Sequence, residues 1–479
     1  MKPLSVDLDG TLIKSDMLYE QLAVLLRSYP WKLFLLPIWL LGGIAALKRR
    51  IADAVLPILN VELVPLNEDL VDYLKEQKLS GRRIELVTAT DQKVAELFET
   101  RLKLFDEVVG SDGKRNLKGS RKAAFLAEKH PDGFVYAGDS TADLKVWAKA
   151  EAAILVGSGT TLSAVERTTT IEAMFGTSRM PGKAIRKGMR LHQWAKNGLI
   201  FVPLLLSSTY LVQEILQQAL LLFLWFSIVA SGTYILNDLL DLEADRAHRT
   251  KRNRPLASGE LPLLYGLILA PSMIVGGLAG AALISWEAGL TVLTYLVLTI
   301  SYSFIFKRHP VVDVLVISTL FTLRLVAGQT VVDLGIGEHT IPAWLIVFSV
   351  FFFTSLALVK RYTEVRSLLE SGREKIAGRG YRASDGGFVL GLGVASGVAS
   401  ILVFMLYLVT EPVTVARLIN PVWLWVVPCV LAYWLPYVWL LATRDQMDDD
   451  PVVFALKDRA SLVLGVIAVG AVILAAWPT

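Results

Sequence analysis

The stretch Tyr234–Leu261, YILNDLLDLEADRAHRTKRNRPLASGEL, decides how the chain is read. It joins two long apolar runs, and a plain connection between helices needs no such density of charge. Asp238, Asp241 and Asp245 fall at i, i+3 and i+7, which places them on one face of a helix extending from the preceding run. Three like charges on one face repel unless a cation lies between them. Mg²⁺ suits the set, because it is a hard ion held by a few carboxylates together with substrate phosphates. Asn237 adds a neutral oxygen or an amide donor. Arg246, Arg249, Lys251, Arg252 and Arg254 follow and suit the remaining phosphate oxygens. A metal-bound phosphate group beside a membrane is the expected ligand.

The surrounding composition agrees. The chain has 479 residues, 54% hydrophobic, with mean hydropathy +0.51. That is too apolar for a soluble protein and too long for one domain. The lone cysteine, Cys429, excludes an internal disulfide framework. The net charge of +4 is modest, and its layout matters more than its size. The start MKPLSVDLDG does not read as a signal peptide, so the N-terminal part is expected to stay in the cytoplasm. After about Arg190, apolar runs alternate with short charged segments. Nine runs approach the roughly 20 residues that cross a bilayer, near 198–212, 217–236, 263–284, 288–306, 311–331, 341–359, 386–409, 421–442 and 460–477. With entry from the cytoplasm, the inside loops carry 22 Lys and Arg residues and the outside loops only Arg417. This bias predicts a multi-pass protein of the cytoplasmic (inner) membrane with the charged loops inside.

NDLLDLEAD resembles the first aspartate motif of the UbiA-type intramembrane prenyltransferases, and nine helices with cytoplasmic charged loops match that fold. The likeness covers residues 185–479. Within the superfamily the chain is most similar to the decaprenyl-phosphate phosphoribosyltransferases, through RLHQWAKN, the Asn237–Gly259 loop, YSFIFK (Tyr302–Lys307), LRLVAG (Leu323–Gly328), LVKRYTEV (Leu358–Val365) and FALKDR (Phe454–Arg459). The resemblance implies Mg²⁺-assisted transfer of 5-phosphoribosyl from phosphoribosyl pyrophosphate to a polyprenyl phosphate, with pyrophosphate leaving. Two phosphorylated substrates call for a basic site, and Lys196, Lys251, Arg254, Lys307, Lys360 and Arg361 are expected to converge. Arg324 lies within an apolar run, where an arginine is costly and usually serves a cavity. Tyr302, Tyr362 and Asp458 are further candidates for substrate contact. The second aspartate-rich motif of aromatic prenylating relatives is replaced by KRYTEVRS, with only Glu364. The run Asp448–Asp450 and Asp458 are candidates for a second metal site.

Three short apolar segments precede the membrane part. LSVDLDGTLIKSD (4–16), IELVTAT (84–90) and FVYAGDSTAD (134–143) each read as a strand delivering polar groups at its C-terminal end. The set resembles the haloacid dehalogenase (HAD) phosphatases over about 1–160, implying an α/β domain with a helical cap near 17–80. By that resemblance Asp7 is the nucleophile, Asp9 the general acid/base and Thr88 a phosphoryl ligand. Asp139 and Asp143 join Asp7 around Mg²⁺, with Asp9 beside them. Lys118 and Lys122 both fit the basic position, and Lys122, opening a helix, is preferred. WKLFLLPIWLLGGIAALKRR (31–50) is expected to form cap helices, since a membrane crossing would separate Asp7 from Thr88. Residues 161–184 read as a linker.

Together these readings expect an α/β HAD-like domain fused to an all-α membrane transferase. The soluble domain would then remove the ribose 5-phosphate from the lipid product. The expected partners are phosphoribosyl pyrophosphate, a polyprenyl phosphate and the membrane, with no nucleic acid; homo-oligomerisation is left open. Two other readings compete: an aromatic prenyltransferase using a polyprenyl diphosphate, and a membrane anchor with a regulatory HAD module.

Overall fold

The structure is a computed structural model and describes residues 1–157, 159–176, 181–207, 209, 212–336, 343–370, 379–410, 420–447 and 451–476. The chain divides into two compact units. The first joins Met1–Arg190 to Tyr234–Pro271, and the second joins Leu191–Thr233 to Ser272–Thr479.

The first unit is built on a six-stranded sheet: β1 (Leu4–Val6), β2 (Ile84–Asp91), β3 (Glu107–Ser111), β4 (Val135–Gly138), β5 (Ala152–Val156) and β6 (Thr170–Phe175). The order is β3-β2-β1-β4-β5-β6, with every pairing parallel. Such strands are covered on both faces and so read as continuous apolar runs. Leu4, Val6, Leu86, Ala137 and Ile154 enter one core cluster. Val87, Tyr136, Ala153 and Leu155 enter a second. Strand order reverses direction at the β1–β4 pair. A crevice therefore opens at the carboxyl ends of these strands, where Asp7 and Asp139 follow.

Two sequence boundaries shift. The segment 161–184, expected as a linker, carries the end of a helix (Gly159–Glu166) and β6, which extends the sheet. TIEAMF alternates exposed and half-buried positions, the weak pattern of an edge strand. The helix Glu68–Leu79, expected in the cap, sends Leu70, Val71 and Leu74 into the sheet core. Residues 31–50 form a 3₁₀ turn (Pro30–Leu35), a short helix (Leu36–Leu40) and the start of the helix Ile44–Val55. The break falls at Gly43, whose φ of +88° suits glycine.

The second unit is helical. Among the described residues, seven helices are long and apolar enough to cross a membrane: Gln213–Leu240, Leu263–Ala282, Trp286–Phe304, Val312–Gly335, Ala343–Leu369, Ala383–Thr410 and Pro421–Thr443. The expected count of nine is not reached. Residues 198–212 begin in a 3₁₀ run (Leu191–Phe201) that passes to a short helix, Val202–Leu206, with Pro203 in its first turn. The last run is the shorter apolar helix Arg459–Ala475. Hydropathy averaged over a window detects apolar length and misses such breaks.

Small and hydroxyl residues hold these helices together, as expected where burial against lipid gives little drive. Ser355 Oγ donates to the Gly393 carbonyl (2.8 Å) and accepts from Trp439 Nε1 (3.1 Å). Ser318 Oγ donates to the Val350 carbonyl (2.7 Å). A Cβ at Gly393 would come 2.1 Å from the Trp439 ring. Gly393→Val should therefore cost about 1–3 kcal/mol through overpacking. The melting temperature in detergent should fall while Gly391→Ala, which meets no neighbour within 4 Å, leaves it nearly unchanged.

Candidate active site

The carboxylate loop lies in the first unit. Helix Gln213–Leu240 ends just before Asp241, and the short helix Leu242–Ala247 follows. The single continuous helix expected for the three aspartates is thus interrupted. The bonds from Asp241 N to the Asn237 carbonyl (2.9 Å) and from Asp245 N to the Asp241 carbonyl (2.8 Å) still carry helical spacing across the break. Asp238 and Asp245 are buried. Arg254 Nη1 donates to both, at 3.0 Å to Asp238 and 2.6 Å to Asp245. Arg190 Nη2 also pairs with Asp238. The charge between these carboxylates is therefore met by guanidinium groups. Burial pushes the Asp245 carboxyl above its ordinary range, against the pull of Arg254. Arg190 was missed in the sequence because it stands 48 residues from Asp238, outside the loop.

Among the loop's other candidates, Asn237 and Asp241 are engaged in polar interactions. Lys251 sits in a 3₁₀ turn, Lys251–Asn253, and is exposed.

The second unit holds further candidates. Arg324 is buried; its Nε donates to Asn197 Oδ1 (2.8 Å), and its guanidinium lies 5.0–5.3 Å from the ring centres of Tyr295, Phe321 and Phe226. These bonds and rings already satisfy much of its charge. Arg361, also buried, donates from Nε to Asp313 (2.7 Å), from Nη1 to Glu364 (2.8 Å) and from Nη2 to the Tyr302 hydroxyl (3.2 Å). Tyr381 donates to the other Asp313 oxygen (2.8 Å). Asp313 and Tyr381 were missed: they lie 48 and 20 positions from Arg361, and nothing local marks them. Lys196 lies 6.0 Å from the Phe321 ring centre, and Lys307 occupies the 3₁₀ turn Phe306–Arg308. Lys360 is half-buried, and Tyr362 packs edge-on to Trp439. Asp458 accepts from Ser461 N and Oγ, both at 2.8 Å, and so caps the last helix. Asp448–Asp450 lie outside the described residues.

The crevice of the sheet assembles the other set. Asp7 follows β1, and Lys122 Nζ, from helix Ser120–Lys129, lies 2.8 Å from its Oδ2. Lys118 is exposed, whereas Lys122 is buried. Asp9 accepts from Met17 N and from Thr90 Oγ1, both at 2.8 Å. Thr88 is buried and accepts from Thr90 N. Asp143 Oδ2 accepts from Ser140 Oγ (2.9 Å) and N (3.1 Å), which closes the loop after β4. Three groups here were missed. Thr90 holds Asp9. Tyr136 has its hydroxyl 3.3 Å from Asp7, 3.0 Å from Asp143 and 2.8 Å from Lys122. Lys48, from the helix Ile44–Val55, donates to the Ala89 carbonyl (2.8 Å). Gly10, at φ +73°, brings the backbone so close that an added Cβ would lie 2.3 Å from Asp139 Oδ2.

Among the described residues, no three Asp, Glu, His or Cys side chains stand grouped as a metal site. The donor chemistry in the crevice nevertheless fits a hard divalent ion. Asp7 and Asp9 are each pushed up to about 6, first by burial and then by neighbouring carboxylates: Asp143 and Asp9 act on Asp7, and Asp16 acts on Asp9. A cation beside them would relieve that cost.

The UbiA prenyltransferase family matches residues 199–462, and the haloacid dehalogenase-like hydrolase family matches residues 5–147. The chain belongs to the UbiA prenyltransferase family and carries an N-terminal HAD-like domain; with its apolar helices it is an integral membrane protein. It is 40% identical over 99% of its length to "Uncharacterized protein y4nM" of Sinorhizobium fredii, covering 91% of that protein. It is 35% identical to the nodulation protein NoeC of Azorhizobium caulinodans over 60% of this chain and 91% of that one. It is 32% identical to the decaprenyl-phosphate phosphoribosyltransferase of Corynebacterium glutamicum over 43% of this chain, covering 62% of that protein. A UbiA homolog from Archaeoglobus fulgidus bound to DMAPP and Mg²⁺ superposes with a TM-score of 0.45 at 17% identity, over 61% of this chain and 100% of that one.

Two outcomes are expected. Mg²⁺ should raise the melting temperature more at pH 7.5 than at pH 5. The raised carboxyls are protonated below about 6 and then compete poorly for a cation; above it they are charged, and the ion removes their mutual repulsion. Equal shifts at both pH values in differential scanning fluorimetry would contradict this. Asp313→Ala should destabilise the chain by about 3–5 kcal/mol, because it strands the buried Arg361 charge. Asp313→Ala combined with Arg361→Met should recover much of the loss in the same melting assay.

Proposed function

We propose that the chain transfers 5-phosphoribosyl from phosphoribosyl pyrophosphate to a polyprenyl phosphate, and that the HAD-like domain then removes the 5-phosphate. One observation carries the first part: two buried carboxylates, Asp238 and Asp245, share the guanidinium of Arg254, and Asp238 also pairs with Arg190. Such a set is suited to trade partners. Arg190 and Arg254 would turn to the diphosphate oxygens of a bound donor, and Asp238 and Asp245 would be the residues to hold Mg²⁺. The cofactor would supply charge for the departing pyrophosphate. Names among the relatives support the donor, as does the scarcity of acid in KRYTEVRS, which suits a prenyl diphosphate poorly.

The transfer step breaks the bond between the ribose C1 and the pyrophosphate oxygen, and the electron pair leaves with pyrophosphate. An oxygen of the polyprenyl phosphate forms the new bond to C1. Arg190, Arg254 and Lys251 hold the donor's anionic groups, so that the acceptor meets a positioned carbon. No covalent enzyme intermediate is needed. The membrane supplies the acceptor, and the basic loops orient toward the cytoplasm.

In the HAD-like domain, Asp7 attacks the 5-phosphate and becomes an aspartyl phosphate, while the ribose oxygen leaves with a proton from Asp9. Asp9 is held for this by Met17 N and Thr90. Asp9 then takes a proton from the water that cleaves the aspartyl phosphate, and inorganic phosphate departs. Lys122 steadies the charge on Asp7, and Thr88 receives phosphoryl oxygens. Asp139 and Asp143 would complete the donor set for Mg²⁺ with Asp7.

Membranes containing the chain, given radiolabelled phosphoribosyl pyrophosphate, polyprenyl phosphate and Mg²⁺, should place label in the lipid. Asp238→Ala should lower the rate at least about 100-fold, the scale of losing one preorganised charge contact. Consumption of a prenyl diphosphate with an aromatic acceptor, and no labelled lipid, would overturn the donor assignment. An inactive chain that binds neither donor would favour the anchor reading.

A further inference from the structure

One helix of the HAD-like domain, Met17–Ser28, touches the carboxylate loop. Its first residue donates from N to Asp9 Oδ1 (2.8 Å), so its beginning is part of the crevice. One turn later, Glu20 accepts from Arg246 twice, at 2.7 Å from Nη2 and 2.9 Å from Nη1. Both side chains are buried, with 3% and 6% exposure. Arg246 Nε also donates to the Ala257 carbonyl (3.1 Å), tying the short helix Leu242–Ala247 to the return of the loop. Near its end the same helix places Arg27 2.6 Å from Glu243. Gly259, at φ +77°, packs so closely on Lys14 that an added Cβ would lie 3.0 Å from its Cβ. Arg246 directly follows Asp245, which Arg254 bridges to Asp238.

A fully desolvated bidentate ion pair adds little net stability over an apolar pair, but it fixes geometry, and losing one partner is costly. Sequence separation argues against a local role, since Glu20 and Arg246 stand 226 positions apart. We propose that Glu20 is a positioning residue for the carboxylate loop: through Arg246 it sets the place of Asp245, so the HAD-like domain is a working part of the transferase site. The functional half of this inference rests on the phosphoribosyl-transfer reading; the structural half does not. Both reaction centres then share one helix, with Asp9 at its first residue and Asp245 one contact beyond Glu20.

The test combines hydrogen exchange and kinetics on the full chain in lipid nanodiscs. Glu20→Gln should speed amide exchange in peptides covering Leu242–Ala257 at least about tenfold, while β5 and its neighbours exchange as in wild type. The KM for phosphoribosyl pyrophosphate should rise about tenfold, with a smaller change in kcat. The reciprocal pair, Glu20→Arg with Arg246→Glu, should recover much of both effects. Unchanged loop exchange in Glu20→Gln overturns the proposal, whatever the kinetics. Faster exchange in β5 as well would mean general unfolding and also overturns it. If the loop loosens but KM holds, the positioning role in transfer fails. If the loop loosens and wild type transfers no phosphoribosyl at all, the proposed reaction fails while the brace stands.

Discussion

Buried carboxylates need a cation, and most of the described chemistry follows from where each one finds it. Charge removed from water is costly unless it is paired and hydrogen-bonded. Asp238 and Asp245 find Arg254 and Arg190. Glu20 finds Arg246, and Asp313 finds Arg361. Asp7 finds Lys122 yet stays high in pKa, because burial and two neighbouring carboxylates outweigh one ammonium group. The pairs differ in how replaceable the partner is. Arg361 is locked on three sides by Asp313, Glu364 and Tyr302. Arg254 and Arg190 keep 28% and 25% of their side chains exposed, so a phosphate can compete for them.

Arg324 shows the same distinction. A buried arginine in an apolar helix invites a role in binding anions. Its guanidinium is instead engaged by Asn197, a backbone carbonyl and three aromatic rings. Such a cage reads as architecture that fixes the helix Val312–Ile336 against the Leu191–Phe201 segment. A contact of that kind still shapes a site, by setting the positions of what surrounds it.

Much of this was legible in the sequence. Strand-terminal motifs such as DLDGT and GDSTAD announced the crevice because parallel sheets gather chemistry at the carboxyl ends of their strands. The aspartate loop announced itself through charge between apolar runs. What escaped detection shares a physical cause. Arg190, Glu20, Asp313 and Tyr381 act through contacts 48 to 226 positions away in sequence, and no local period records them. Tyr136 lies in a buried strand and reads as core. β6 was hidden by the weak alternation of an edge strand, and the 3₁₀ run Leu191–Phe201 by averaging of hydropathy.

The most direct measurement is the mass of the lipid product formed from phosphoribosyl pyrophosphate and polyprenyl phosphate by wild type and by Asp7→Asn. Two centres working in sequence predict a ribosyl lipid lacking the 5-phosphate from wild type, and the 5-phosphorylated lipid from Asp7→Asn. The same 5-phosphorylated product from both chains would contradict a phosphatase role for the HAD-like domain, and no ribosylated lipid from either would contradict the transferase assignment.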